Sequence, residues 1–126
     1  MKKYLSLTIF IMAIVFVLAS CKKQDHKTQY VTLNESVTSG SMYKLSLSAY
    51  GDADDEPAIT TQAVNYTVSQ LSKDAATANN TYSFSVNQKT ADKETVVITL
   101  KENHNGRGNC NRNEAEAVIT INFTIN

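Results

Sequence analysis

The chain has 126 residues, with twelve basic and twelve acidic side chains, a formal charge of zero, two cysteines and no tryptophan. That length suits one domain with a genuine core rather than two. Near-neutral charge, with no basic cluster beyond Lys22, Lys23 and Lys27, excludes the electrostatic footprint of a nucleic-acid-binding protein.

In chain order, Met1-Lys2-Lys3 is positive, Leu5 to Ala19 is apolar apart from Ser6 and Thr8, and small residues then precede Cys21. That order is the pattern of a signal peptide. The alternative, a retained membrane helix, falls short of the roughly 20 apolar residues needed to span hydrocarbon. Leu18-Ala19-Ser20-Cys21 resembles the lipobox of bacterial lipoproteins. The resemblance implies that the Cys21 thiol takes a diacylglycerol, that the chain is cut just before it, and that the new amino group is acylated too. Residues 1–20 are then the signal peptide, 21–28 a lipidated flexible tether and 29–126 the folded domain. Each buried acyl CH2 contributes about 0.8 kcal/mol, and two or more chains give stable anchoring. Loss of Lys2 and Lys3 leaves an excess of two acidic residues. Lys22, Lys23 and Lys27 stand beside the expected lipid, where each adds about 1 kcal/mol of attraction to an anionic surface. The expected location is the bacterial cell envelope, lipid-anchored in the outer membrane, with the periplasmic or surface face left open.

The segment from Cys21 to Thr28 has no apolar periodicity and includes His26, a solvated side chain without a role. From Tyr30 onward the period is two. Val31 and Leu33 alternate with Thr32 and Asn34; after the turn residues 38–41, Tyr43, Leu45, Leu47 and Ala49 alternate with Lys44, Ser46 and Ser48. Both read as half-buried strands. Gly51 to Pro57 reads as an acidic loop, and Ile59 to Ala63 as a short strand running towards Val64, Tyr66 and Val68. Leu71 breaks that phase, which predicts a bulge or strand end near Ser69-Gln70. Ser72 to Asn80 lacks an apolar stripe and reads as a loop. Tyr82, Phe84 and Val86 resume the alternation, followed by a turn over 87–93 and an inward set of Val96, Ile98 and Leu100. After a long loop over 102–113, Ile119, Ile121, Phe123 and Ile125 face one way and Val118, Thr120, Asn122 and Thr124 the other.

Six or seven strands at this spacing predict an all-β, antiparallel β-sandwich, with an open barrel as the alternative closure. The order Val31-Thr-Leu-Asn-Glu35, Tyr43-Lys-Leu-Ser-Leu47, Asp52-Ala-Asp-Asp55, Ile59-Thr-Thr-Gln62, Tyr82-Ser-Phe84, Val96-Val-Ile-Thr-Leu100 and Ala117-Val-Ile-Thr-Ile121 resembles the cadherin-like or immunoglobulin-like repeats of bacterial surface proteins. The resemblance implies a seven-stranded sandwich used for adhesion or spacing.

Among chemically distinctive groups, the acidic loop Asp52, Asp54, Asp55 and Glu56 is the best ligand candidate, because calcium takes several carboxylate and carbonyl oxygens from a compact loop. It lacks the glycine-centred pattern of an EF-hand, and a solvated turn is the plainer reading. His104 and Cys110 reach the ligand number zinc requires only if Glu102 or Glu114 joins them. With Cys21 taken by lipid, Cys110 has no intrachain disulfide partner. Its surroundings, Asn105 to Asn113, hold two glycines and the cations Arg107 and Arg112, which predicts an accessible thiol. No nucleophile–base or metal-protease motif is present, so the expectation is a protein that is not an enzyme. The Asn-x-Ser/Thr triplets at Asn34, Asn65, Asn79 and Asn122 read as chance matches. The leading functional expectation is an envelope lipoprotein whose sandwich offers loops or a strand edge to a protein or glycan. A calcium- or metal-dependent module is the alternative.

Overall fold

The computed structural model describes residues 27–102 and 115–126. Among them are seven strands: β1 (Gln29–Val37), β2 (Met42–Ser46), β3 (Glu56–Thr61), β4 (Val68–Lys73), β5 (Asn80–Ser85), β6 (Lys93–Lys101) and β7 (Ala115–Ile125). They form a four-stranded sheet in the order β1-β7-β6-β3 and a three-stranded sheet in the order β2-β5-β4. This is an all-β, two-sheet arrangement compatible with a β-sandwich, and the separate sheets set aside the open barrel.

The core follows the alternation read from the sequence. Tyr82 and Phe84 come from one sheet, Val86 from just beyond its strand β5, and Val96, Ile98, Leu100, Ile119, Ile121, Phe123 and Ile125 from the other sheet, all buried. Leu33, Tyr43, Leu45, Ile59 and Leu71 are half-buried around this centre. Phe84 and Phe123 stack with centroids 4.2 Å apart and planes 6° apart, while Tyr43 meets the Phe123 ring edge-on at 5.2 Å. The Tyr82 hydroxyl, deep in this apolar layer, pairs with Ser69 Oγ at 2.7 Å. Burial pushes its pKa up to about 12, so it remains a protonated hydrogen-bonding group at any physiological pH.

The structure corrects several local expectations. The sheets are antiparallel except at one pair: β1 runs parallel to β7, in register from Gln29 opposite Ala117 to Val37 opposite Ile125. A parallel pair needs a long connection rather than a hairpin, and here nearly the whole domain supplies it. β1 passes into β2 of the other sheet through a turn in which Gly40 takes φ 83°, the left-handed region that glycine adopts without a Cβ penalty. The second strand stops at Ser46 instead of continuing to Ala49; Leu47–Ala49 is a 3-10 turn that buries Leu47 and leaves Ala49 exposed.

The third correction concerns residues 56–71. The strand begins earlier than expected, at Glu56, and includes Pro57, which an edge strand tolerates because one side of its backbone makes no ladder bonds. Its irregularity lies between Ile59 and Thr61, not near Ser69-Gln70. The chain then crosses to the other sheet: Ala63 is buried, whereas Val64 is 86% and Tyr66 45% exposed. The cause is a carboxylate on β6. Glu94 accepts the Val64 N–H at 2.8 Å, the Asn65 N–H at 3.1 Å and the Asn65 Nδ2 at 2.7 Å, holding these residues in a turn. The expected loop over 72–80 is real but shorter, because β4 runs to Lys73 and pairs with Asn80. Asp74 closes it by accepting the N–H groups of Ala76 and Thr77, and those bonds hold its carboxyl below the usual range.

If the ring stack joins the two sheets, Phe123→Ala should cost about 3–5 kcal/mol in urea denaturation. Thr32→Ala, on the exposed side of β1, is expected to change stability by less than about 0.5 kcal/mol.

Candidate functional site

The period-two geometry that buries one face of the four-stranded sheet turns the other face outward as a polar surface. Strand register sets its rows. Asn34 stands opposite Asn122, and Asn122 opposite Thr95, so side chains from three strands lie side by side. They are joined: Thr95 Oγ1 donates to Asn122 Oδ1 at 3.1 Å, and Asn122 Nδ2 donates to Asn34 Oδ1 at 3.2 Å. The next row places Thr32 beside Thr120 and Val97. A depression of about 320 Å³ lies over the first row, lined by Asn34, Thr95 and Asn122 together with Lys93, Glu94, Phe123 and Thr124. At the far end of β1, Tyr30 occupies the same alternate set as Thr32 and Asn34 and is 79% exposed. Sequence reading missed this assembly. Asn34 and Asn122 were visible only as outward residues in Asn-x-Ser/Thr triplets, and their meeting depends on the parallel pairing of β1 with β7.

The acidic loop Asp52 to Glu56 folds partly on itself. Asp55 is buried, its carboxylate accepting the Asp52 N–H at 2.6 Å, while the Asp55 N–H returns a bond to the Asp52 carbonyl at 3.2 Å. Asn80 Nδ2 donates to the Asp55 carbonyl at 3.0 Å, tying the turn to β5. Asp52 and Asp54 are exposed, and Glu56 belongs to β3. Among the described residues no group of three His, Cys, Asp or Glu side chains is placed to hold a metal ion. Gly51 leaves room for the buried carboxylate: a Cβ at that position would collide with Asp55 Oδ2 and lie 2.9 Å from Leu100 Cδ1.

Glu116, which the sequence did not single out, packs its carboxyl against Asp55. Burial is the main force pushing its pKa up, to about 7, followed by the hydrogen bond and charge of Asp55, with Asp52 and Glu102 adding repulsion. Its Oε2 is inaccessible and makes no hydrogen bond. An acid that is buried beside other acidic groups favours its protonated form, which is the sense of the Glu116 shift. A second depression of about 320 Å³ adjoins the Val64–Thr67 turn and Val86 to Gln88. Cys21, His26, His104, Cys110 and Glu114, on which the lipidation, zinc and thiol expectations rest, lie outside the described residues.

The raised acid binds its proton more tightly in the folded chain than in the unfolded one. Its stabilising contribution is full below the ordinary value of 4.5 and is lost as pH rises through about 7. The wild-type melting temperature should therefore fall across that window relative to Glu116→Gln, whose curve is expected to be flatter; identical pH profiles would contradict the raised acid at Glu116. Gly51→Ala should destabilise by about 1–3 kcal/mol through overpacking against Asp55, as read by chemical denaturation.

Compared with protein-family models and with curated proteins, the chain matches none, so its own residues carry the functional reading.

Proposed function

We propose that the protein is a lipid-anchored component of the bacterial cell envelope, presenting an immunoglobulin-like or cadherin-like sandwich as a non-enzymatic binding module. The observation that carries the anchoring is Leu18-Ala19-Ser20-Cys21 at the end of a positive-then-apolar leader. Removal of residues 1–20 leaves the acyl chains on Cys21 as the membrane attachment, and β1 begins at Gln29, close behind the lipid. Two or more acyl chains suffice for stable attachment.

The sandwich assignment draws support from strand order. In immunoglobulin-type sandwiches the second, fifth and fourth strands share one sheet and the third, sixth and seventh the other. The present order, β2-β5-β4 against β3-β6-β7 with β1 added beside β7, follows that plan. The polar outer face of the four-stranded sheet and the exposed turn at Val64 and Tyr66 give such a module two surfaces for a partner.

Cys21→Ala should move the protein from the membrane fraction to the soluble fraction, whereas a variant that is processed normally and stays with membranes through a high-salt wash would refute the lipid anchor. Calcium-dependent binding is the other reading of Asp52, Asp54 and Asp55. Because the Asp55 carboxylate is engaged within its own turn, thermal melts of the full protein in calcium and in chelator should coincide. A rise of many degrees in calcium would instead assign the loop to the ion, since a ligand of the native state stabilises by mass action.

A further inference from the structure

We propose that the outer face of the four-stranded sheet binds a neutral glycan, with the row Asn34–Asn122–Thr95 taking the sugar hydroxyls and Tyr30 stacking on a ring further along the same oligosaccharide. This deepens the reading of the sandwich as a binding module by naming its face and its ligand class. It is independent of the lipid anchor.

The chemistry of the row suits a polyol. A sugar hydroxyl both donates and accepts, and a primary amide offers both functions in one plane. The ladder uses one acceptor position of each amide oxygen and one hydrogen of Asn122 Nδ2. Asn34 Nδ2, the other hydrogen of Asn122 Nδ2 and the remaining lone pairs stay available to a ligand. Because the two amides and the hydroxyl orient one another, a ligand finds them already ordered and binding loses less side-chain entropy. With strands about 4.8 Å apart, the row extends about 10 Å across the sheet. The overlying depression of about 320 Å³ falls at the lower end of the roughly 300–1,000 Å³ range of small-molecule sites.

Charge and apolarity narrow the ligand class. In the two rows formed by Thr32, Asn34, Thr120, Asn122, Thr95 and Val97 there is no ionisable side chain; the depression is lined by one cation, Lys93, and one acid, Glu94, whose carboxyl oxygens are engaged by Val64 and Asn65. Nothing there matches a polyanion. A protein partner favours large apolar anchors at the centre of its contact; among the described residues the exposed large hydrophobics are Met42, Val64 and Tyr66, away from this face, and Tyr30, at its margin rather than over the amide row. Tyr30 is the aromatic residue on the β1 side of the face, about 13 Å along the strand from Asn34. Its exposed ring provides an apolar surface with a polar tip, suited to the C–H face of a pyranose.

The test uses the full-length protein in detergent micelles, titrated calorimetrically with maltohexaose, cellohexaose and N-acetylchitohexaose. At least one hexasaccharide should bind, and raised salt should leave its affinity unchanged because no ion pair is involved. Asn122→Ala should weaken that binding about tenfold, equivalent to about 1.4 kcal/mol, and Thr95→Val and Tyr30→Ala should each weaken it. Met42→Ala, on the other sheet, should leave it unchanged. Asn34→Ala, at an exposed position, repeats the test if Asn122→Ala lowers the melting temperature. Failure of all three hexasaccharides to bind, or affinities insensitive to Asn122, Asn34 and Thr95, would overturn the glycan face. Binding that collapses in salt would assign the surface to an anionic ligand and equally overturn it. Membrane fractionation of the same wild-type protein scores the lipid anchor separately.

Discussion

The stack of Phe84 on Phe123 ties the central strand of one sheet to an interior strand of the other, and the remaining geometry depends on it. β5 lies between β2 and β4, and β7 between β1 and β6, so the two rings fix the facing of strands that set the register of their neighbours. A strand slipped by one residue would exchange its buried and exposed sets. On β7 that exchange would bury Asn122 and expose Phe123, at the cost of desolvating an amide and losing an aromatic contact. The hydrophobic layer thereby positions the polar row on the opposite face. Stability and surface chemistry are two sides of one alternation.

Acidic side chains near opposite ends of β6 shape the chain beside it in different ways. Glu94, near the start, gathers three N–H donors from Val64 and Asn65, so its burial is compensated by directed hydrogen bonds. Asp55, which precedes the Glu56–Lys101 pairing, accepts a backbone N–H but also faces the Glu116 carboxyl. The first arrangement uses a negative charge to shape a turn. The second sets one carboxyl group against another, so that Glu116 holds its proton to higher pH than an ordinary acid.

Much of the fold was legible in the sequence because its signal is local. Ile119, Ile121, Phe123 and Ile125 announce a buried face without reference to anything else in the chain. The errors arose where a side chain distant in sequence decides the backbone path. Val64 and Tyr66 look like inward residues of a strand until Glu94, 30 and 28 positions later, is seen pulling this stretch into a turn. Asp55 reads as one acid among several in a polar loop, and its burial shows only once Gly51 and Asn80 are seen to enclose it. The Asn34–Asn122 contact was equally hidden, since periodicity shows that both residues point outward but says nothing about which strands are neighbours.

The parallel pairing of the first and last strands bears on how such a chain is made. Thr28 Oγ1 donates to the Ala115 carbonyl across 87 positions of sequence, and the β1–β7 register begins just beyond it. Closing so wide a span carries an entropic cost that local hairpins do not. β2-β5-β4 and β3-β6 can pair while the C-terminal segment is still absent, but β1 has no strand to join until Ala115 to Ile125 has arrived. Synthesis from the N-terminus therefore delivers the first strand well before its partner. Until β7 is present the four-stranded sheet lacks an interior member, so the order of synthesis itself delays the closing of that sheet.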